Sequence, residues 1–129
     1  MYYLMSIKPR YAEEILNGKK TVEIRRTHFR ANSGDSVLIY ATRPVAGIVG
    51  YFTIDSVYFE DVDEIWSAYG DKTGLSNTEF QEYVKGCKKA SAIVIGDSHS
   101  VLGKRLADIH VRIPQSYMRV SKDDFFSLV

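Results

Sequence analysis

The stretch KPRYAEEILNGKKTVEIRR, residues 8–26, decides how the chain is read. Pro9 suits the first position of a helix, where a missing N–H costs nothing. Ala12, Ile15 and Leu16 recur at i, i+3 and i+4, which predicts a helix over Pro9 to Asn17 with one apolar stripe. Gly18 stops it, since glycine enters the left-handed region without strain. A period of two then begins. Val22 and Ile24 alternate with Thr21, Glu23 and Arg25, so a strand from Thr21 to Arg26 should turn its apolar side to a core and its charged side away from it. Charge on the solvated face of a strand is ordinary. Its density here is not: Lys8, Arg10, Lys19, Lys20, Arg25, Arg26 and Arg30 face only Glu13, Glu14 and Glu23, in a chain whose net charge is +1.

Working outward, 129 residues make one domain, 1–129, and bury enough surface for a core without disulfides or metal. A hydrophobic content of 45% and a charged content of 26% place the chain among ordinary globular proteins. Cys87 is the only cysteine, which excludes an internal disulfide and a multi-cysteine zinc site. The apolar start, Tyr2 to Ile7, is too short for a leader and reads as a strand. These features imply a cytoplasmic protein with no membrane partner. His28, His99 and His110 are too scattered for metal-ligand spacing, and no phosphate-binding or dinucleotide loop is present, so neither metal nor cofactor is expected.

Ser36 to Thr42 is almost wholly apolar and β-prone, which predicts a central buried strand broken at Arg43-Pro44. Gly47 to Glu60 extends as another strand, with Gly47 and Gly50 marking a bulge or a close backbone approach to a ligand. Val62, Ile65, Trp66 and Tyr69 give a helical stripe from Asp61 to Tyr69, ended by Gly70. Ser76-Asn77-Thr78-Glu79 is a capping box opening a helix with Phe80, Tyr83 and Val84 inward. Ala90 to Gly96 should be a strand, Asp97 to Gly103 a loop, Arg105 to Ile113 weakly β, and Ser116 to Val120 a last strand. Ser121 caps a C-terminal helix to Leu128, with Asp123 and Asp124 in its first turn. Strands outnumber helices without βαβ spacing, so the class is α+β, a mixed barrel with a few short helices around it.

Lys8-Pro9, Ile15, Gly18, Lys20, Glu23 and Arg25 follow the order K-P…I…G-x-K…E-x-R. In this the chain resembles the ASCH (activating signal cointegrator homology) domain, a PUA-like β-barrel family. Tyr40-Ala41-Thr42 and Pro114 to Tyr117 resemble a compact single-domain subgroup. The resemblance implies a curled sheet with a cationic cleft where the first helix meets it, floored by residues 20, 23 and 25. It implies an RNA or nucleotide-like partner. In the branch that hydrolyses N4-acetylated cytidine, the motif lysine works with a threonine three residues later and a downstream glutamate. Here that threonine's place holds Glu23, which cannot act as a hydroxyl nucleophile.

Lys20 and Glu23 are the candidate catalytic pair: a lysine near other cations can lose its proton more readily, and the carboxylate can act as acid or base. A plain ion pair is the simpler reading. Lys8, Lys19, Arg25 and Arg26 are candidate RNA-binding cations. Tyr40, Thr42 and Arg43, at a strand end, could stack a base and hold a phosphate. Gln115, Ser116 and Tyr117 could read a base edge, or only turn the chain. Three functions remain open on the sequence: a binding module for RNA or a nucleotide, a small hydrolase of modified nucleosides or RNA, and a regulatory interaction module.

Overall fold

The computed structural model of the chain describes residues 1–104 and 112–129. Among the described residues, six strands alternate irregularly with four short α-helices. The strands are β1 (Tyr2–Ile7), β2 (Val22–Arg25), β3 (Ser36–Ala41), β4 (Gly47–Asp61), β5 (Lys89–Lys104) and β6 (Tyr117–Val120). The helices are α1 (Pro9–Leu16), α2 (Val62–Tyr69), α3 (Asn77–Tyr83) and α4 (Lys122–Leu128). One mixed sheet holds all six strands in the order β2-β5-β4-β3-β1-β6. Among the described residues only β1 and β3 run parallel, with Leu4 beside Leu38.

Alternation along the central strands explains the two cores. Met5, Ile7, Val37 and Ile39 pack on one face with Phe52, Phe29 and the Ala12 and Ile15 stripe of α1. Leu4, Leu38, Tyr40 and Ile48 pack on the other with Phe125 and Leu128 of α4. A third core forms where Val22 and Ile24 meet Ala90, Ala92, Ile65 of α2 and Phe80 of α3. The capping box forms as its spacing predicts: Glu79 N donates to Ser76 Oγ at 3.1 Å and Ser76 N to Glu79 Oε1 at 2.9 Å. Ser121 Oγ accepts from Asp124 N at the start of α4.

Two expectations are corrected. Asp97 to Gly103 is not a loop: β5 continues to Lys104, because its polar residues pair with the far half of β4, Ser98 opposite Phe52 and Ser100 opposite Gly50. Their side chains gave no strand signal, but the backbone ladder does not need one. Of the weak strand expected over Arg105 to Ile113, residues 105–111, His110 among them, lie outside the described residues. Second, the charged side of β2 is not solvated. Glu23 and Arg25 are each only 7% exposed, so both faces of this strand are buried.

The class is α+β as expected, but the expected barrel is not closed by the backbone ladder. Among the described residues, β2 and β6 remain the two ends of the backbone ladder. Side chains join them instead. Arg25 on β2 donates to Ser116 Oγ at 3.2 Å, just before β6, and to the Ser6 carbonyl of β1 at 3.0 Å. Phe29, in the segment leaving β2, packs edge-on against Tyr117 at 4.6 Å and Tyr3 at 5.0 Å.

Gly50 marks a close approach within the fold. A β-carbon built there would lie 2.5 Å from the His99 carbonyl oxygen and 2.6 Å from Leu16 Cδ2. Replacing Gly50 with Ala should destabilise the protein by about 1–3 kcal/mol through overpacking, measured by urea unfolding. Replacing Gly86, where the space is open but φ is +85°, tests backbone strain alone and should cost about 1 kcal/mol.

Candidate functional site

The helix stop at Gly18 and the turn after it drop Lys20 under α1. Its backbone N–H donates to the Glu14 carbonyl at 2.9 Å. The side chain then runs inward, 2% exposed, to donate to the Thr73 carbonyl and pair with Glu23 Oε1 at 3.2 Å. The ring of Tyr11 lies over the ammonium at 5.2 Å. Glu23, on the strand that follows, gives its second oxygen to Arg25 Nη2 at 2.7 Å. One buried carboxylate therefore holds two buried cations. Burial pushes the Glu23 carboxyl up, but the charges of Arg25 and Lys20 and their hydrogen bonds outweigh it, and the group sits below the usual carboxylate range.

The charge around this cluster is unevenly divided. Inward lie two cations and one carboxylate. Outward, Arg10 faces Glu79 at 3.1 Å and Glu14 at 4.0 Å, and the Oε2 of Glu14 is itself buried with no hydrogen-bond partner among the described residues. Tyr11 leans on the same Glu79 at 3.5 Å. The positive end thus lies toward Arg25 and Ser116. There Arg25 Nε is buried and has no hydrogen-bond partner among the described residues.

Residues 20, 23 and 25 converge as the sequence predicts, but they do not floor an open cleft. Tyr11 covers the lysine, and each Glu23 oxygen is taken by a cation. The cavity beside α1, about 400 Å³, opens on the helix's other side and is lined mainly by Pro9, Ala12, Leu16, Ala41, Val45 and Val49. Nor is Lys20 crowded by cations: Lys19 and Arg26 are exposed, and the nearest charge to its ammonium is a carboxylate.

The Tyr40, Thr42 and Arg43 group divides. Tyr40 is 4% exposed, packed in the α4 core, so its ring offers no platform for a base. Thr42 uses its backbone to bond the Ile7 carbonyl and to receive Val45 and Ala46, while Arg43 is exposed beyond it. Ser116 meets Arg25; Gln115 is exposed beside it, and Tyr117 packs on Phe29. Lys8 is exposed at the start of α1. Sequence reasoning missed Tyr11 and placed Tyr83 inward. Tyr83 is 39% exposed and donates to the Ile24 carbonyl, flanking the cluster from α3. Thr73 and Ser6 contribute only carbonyls, for which no side-chain pattern exists. Among the described residues no group of three or more His, Cys, Asp or Glu is placed to hold a metal, and no helix is long and apolar enough to cross a membrane.

Residues 4–119 match a family described as a domain of unknown function, DUF365. An ASCH domain-containing ribonuclease of Zymomonas mobilis is 31% identical over 131 residues, spanning 98% of this chain and 88% of the relative. The crystal structure of ASCH from Zymomonas mobilis superposes with a TM-score of 0.91 at 30% identity, covering 97% of this chain and 91% of that one. A variant of the same protein with a tyrosine changed to phenylalanine gives 0.92 at 29%, over 98% and 94%. With sequence and fold matched along nearly its whole length, this chain belongs to the ASCH-domain family.

Proposed function

We propose that the chain binds RNA through the Lys20–Glu23–Arg25 cluster and acts on the phosphodiester it holds there. The observation that carries this reading is the pair of buried cations on one carboxylate, with one Arg25 donor left over. A buried donor without a partner is costly unless a ligand completes it. A phosphate fits: its oxygens accept from a guanidinium in the plane that Arg25 presents toward Ser116.

In this reading the three residues have distinct tasks. Arg25 and Lys20 stabilise the negative charge that builds on phosphate oxygens as the strand's own 2′-hydroxyl oxygen bonds to phosphorus and the 5′-oxygen leaves, the hydroxyl proton passing through solvent to that leaving oxygen. Glu23 is the anion that aims them. With its proton affinity lowered and both oxygens engaged, it is poorly suited to take a proton itself. Ser116, exposed at Arg25, is the hydroxyl nearest the incoming strand. Lys8, Lys19 and Arg26 add to the field that draws a polyanion to this side. Cleavage, rather than binding alone, is supported by the name of the Zymomonas relative, a ribonuclease. Access requires the Tyr11 ring to move, a side-chain rearrangement common at binding sites.

Three outcomes follow from this assignment. In fluorescence anisotropy at about 50 mM salt, a short labelled RNA should bind the native chain and lose about tenfold in affinity on Arg25→Lys, which keeps charge but not the fork. Absence of RNA binding by the native chain sinks the proposal. In a cleavage assay, Lys20→Ala and Glu23→Gln should each slow the reaction by about 100-fold, the worth of one charge-stabilising group. Rates equal to that of the native chain in both variants remove the pair from any mechanism, and turnover of acetylated cytidine instead of RNA would favour the amidohydrolase reading.

Glu23 also fixes a pH dependence. Its folded-state affinity for a proton is lowered, so its contribution to stability is complete above the ordinary carboxylate value of about 4.3. That contribution is lost as pH falls through the lower folded value. At pH 7, Glu23→Gln should cost about 3–5 kcal/mol, because two buried cations lose their partner. The gap between the two proteins in urea unfolding should narrow below about pH 4; a gap independent of pH would contradict the assignment.

A further inference from the structure

A second concentration of cations lies next to the cluster, outside its ion pairs. Arg26 follows Arg25 but turns outward, where its guanidinium donates to the Lys85 carbonyl at 3.2 Å. Lys85, Lys88 and Lys89 are exposed between α3 and the start of β5. None of these four cations pairs with a carboxylate among the described residues. Asp61 is the register partner of Lys89 and the nearest acid along the ladder.

Beside these cations stands an aromatic step. The exposed His28 ring lies flat on Phe59, 4.3 Å between centroids and 5° between planes. Lys89 Nζ sits 5.9 Å over the same Phe59 ring. The backbone on both sides of His28 is pinned by one buried hydroxyl: Ser91 Oγ donates to the Thr27 carbonyl at 2.7 Å and accepts from Phe29 N at 2.8 Å. The stacked pair is therefore held in place by the sheet, not left to a mobile loop.

We propose that this surface is the track on which a single strand of RNA leaves the cluster, its phosphates on Arg26, Lys85 and Lys89 and one unpaired base on the outer face of His28. The inference rests on the RNA reading above and extends it to a strand longer than the cluster can hold. Unpaired cations along a path track a phosphate backbone, and a flat ring takes the face of any base. Duplex RNA hides its base faces, so the step selects an unpaired strand. An acidic protein would use the cations and leave the ring unused.

The test compares labelled RNA of two lengths, a dinucleotide and a strand of about ten nucleotides, between about 50 and 200 mM salt. The native chain should bind the longer strand more tightly. Lys85→Gln with Lys89→Gln should weaken the longer strand about tenfold and reduce the slope of log affinity against log salt by about 1.4, or about 0.7 for each phosphate no longer neutralised. His28→Ala should weaken it at least about fivefold, the lower end of what stacking one base is worth. Dinucleotide affinity should not change in any variant. All three positions are exposed, and unchanged melting curves confirm that the fold is retained.

An unchanged long-strand affinity and slope in the double lysine variant overturns the track. So does an equal loss for both lengths, which would put these charges at the cluster itself. If His28→Ala has no effect and polyglutamate competes as well as RNA, the surface serves an acidic protein and the proposal fails. A dinucleotide that binds while the longer strand gains nothing sinks the track alone; failure of the native chain to bind either sinks the RNA reading with it.

Discussion

One carboxylate, Glu23, is shared between two buried cations, one on each of its oxygens. The arrangement is possible because Gly18 and the turn after it bring Lys20 beneath α1, while the period of two along β2 sets Glu23 and Arg25 on one face. Lys20 ties that face to the Thr73 carbonyl, in the segment leading to α3, and Arg25 ties it to β1 and the residue before β6. Parts of the chain far apart in sequence therefore meet on one short run of backbone. Without Glu23 neither cation has reason to be buried, and burial is what gives their charge strength.

The same residues join the two ends of an open ladder. A closed barrel removes its edges by backbone pairing. Here β2 and β6 keep their places at the ends of the ladder, and a guanidinium with an edge-on aromatic cluster spans the gap. Side-chain closure is weaker than a ladder in hydrogen bonds but leaves polar groups facing the seam. The candidate site lies on that seam.

Much of the fold was legible in the residues. The helix at Pro9, the capping box at Ser76, the Ser121 cap and the apolar run Ser36 to Ala41 each follow from local chemistry that tertiary structure did not override. The far half of β5 was not legible, because polar residues such as Ser98 and Ser100 are held as a strand by their partners in β4 rather than by propensity. The site was half legible. The spacing of Glu23 and Arg25 put charge on one face, but a strand pattern says nothing about what covers that face or that Lys20 turns under it. Tyr40 misled for the opposite reason: a tyrosine at a strand end reads as available until α4 is seen to lie across it. The carbonyls of Thr73 and Ser6 have no signature at all.

Glu79 closes the α3 capping box with one oxygen and receives Arg10 and Tyr11 of α1 with the other. The tautness of one helix's first turn is thereby yoked to the posture of Tyr11, 68 residues earlier in the chain. Glutamine would satisfy the box and forfeit the guanidinium, while aspartate would shorten the reach to both. Drift at this position is hemmed in from two directions, though it touches no member of the buried trio.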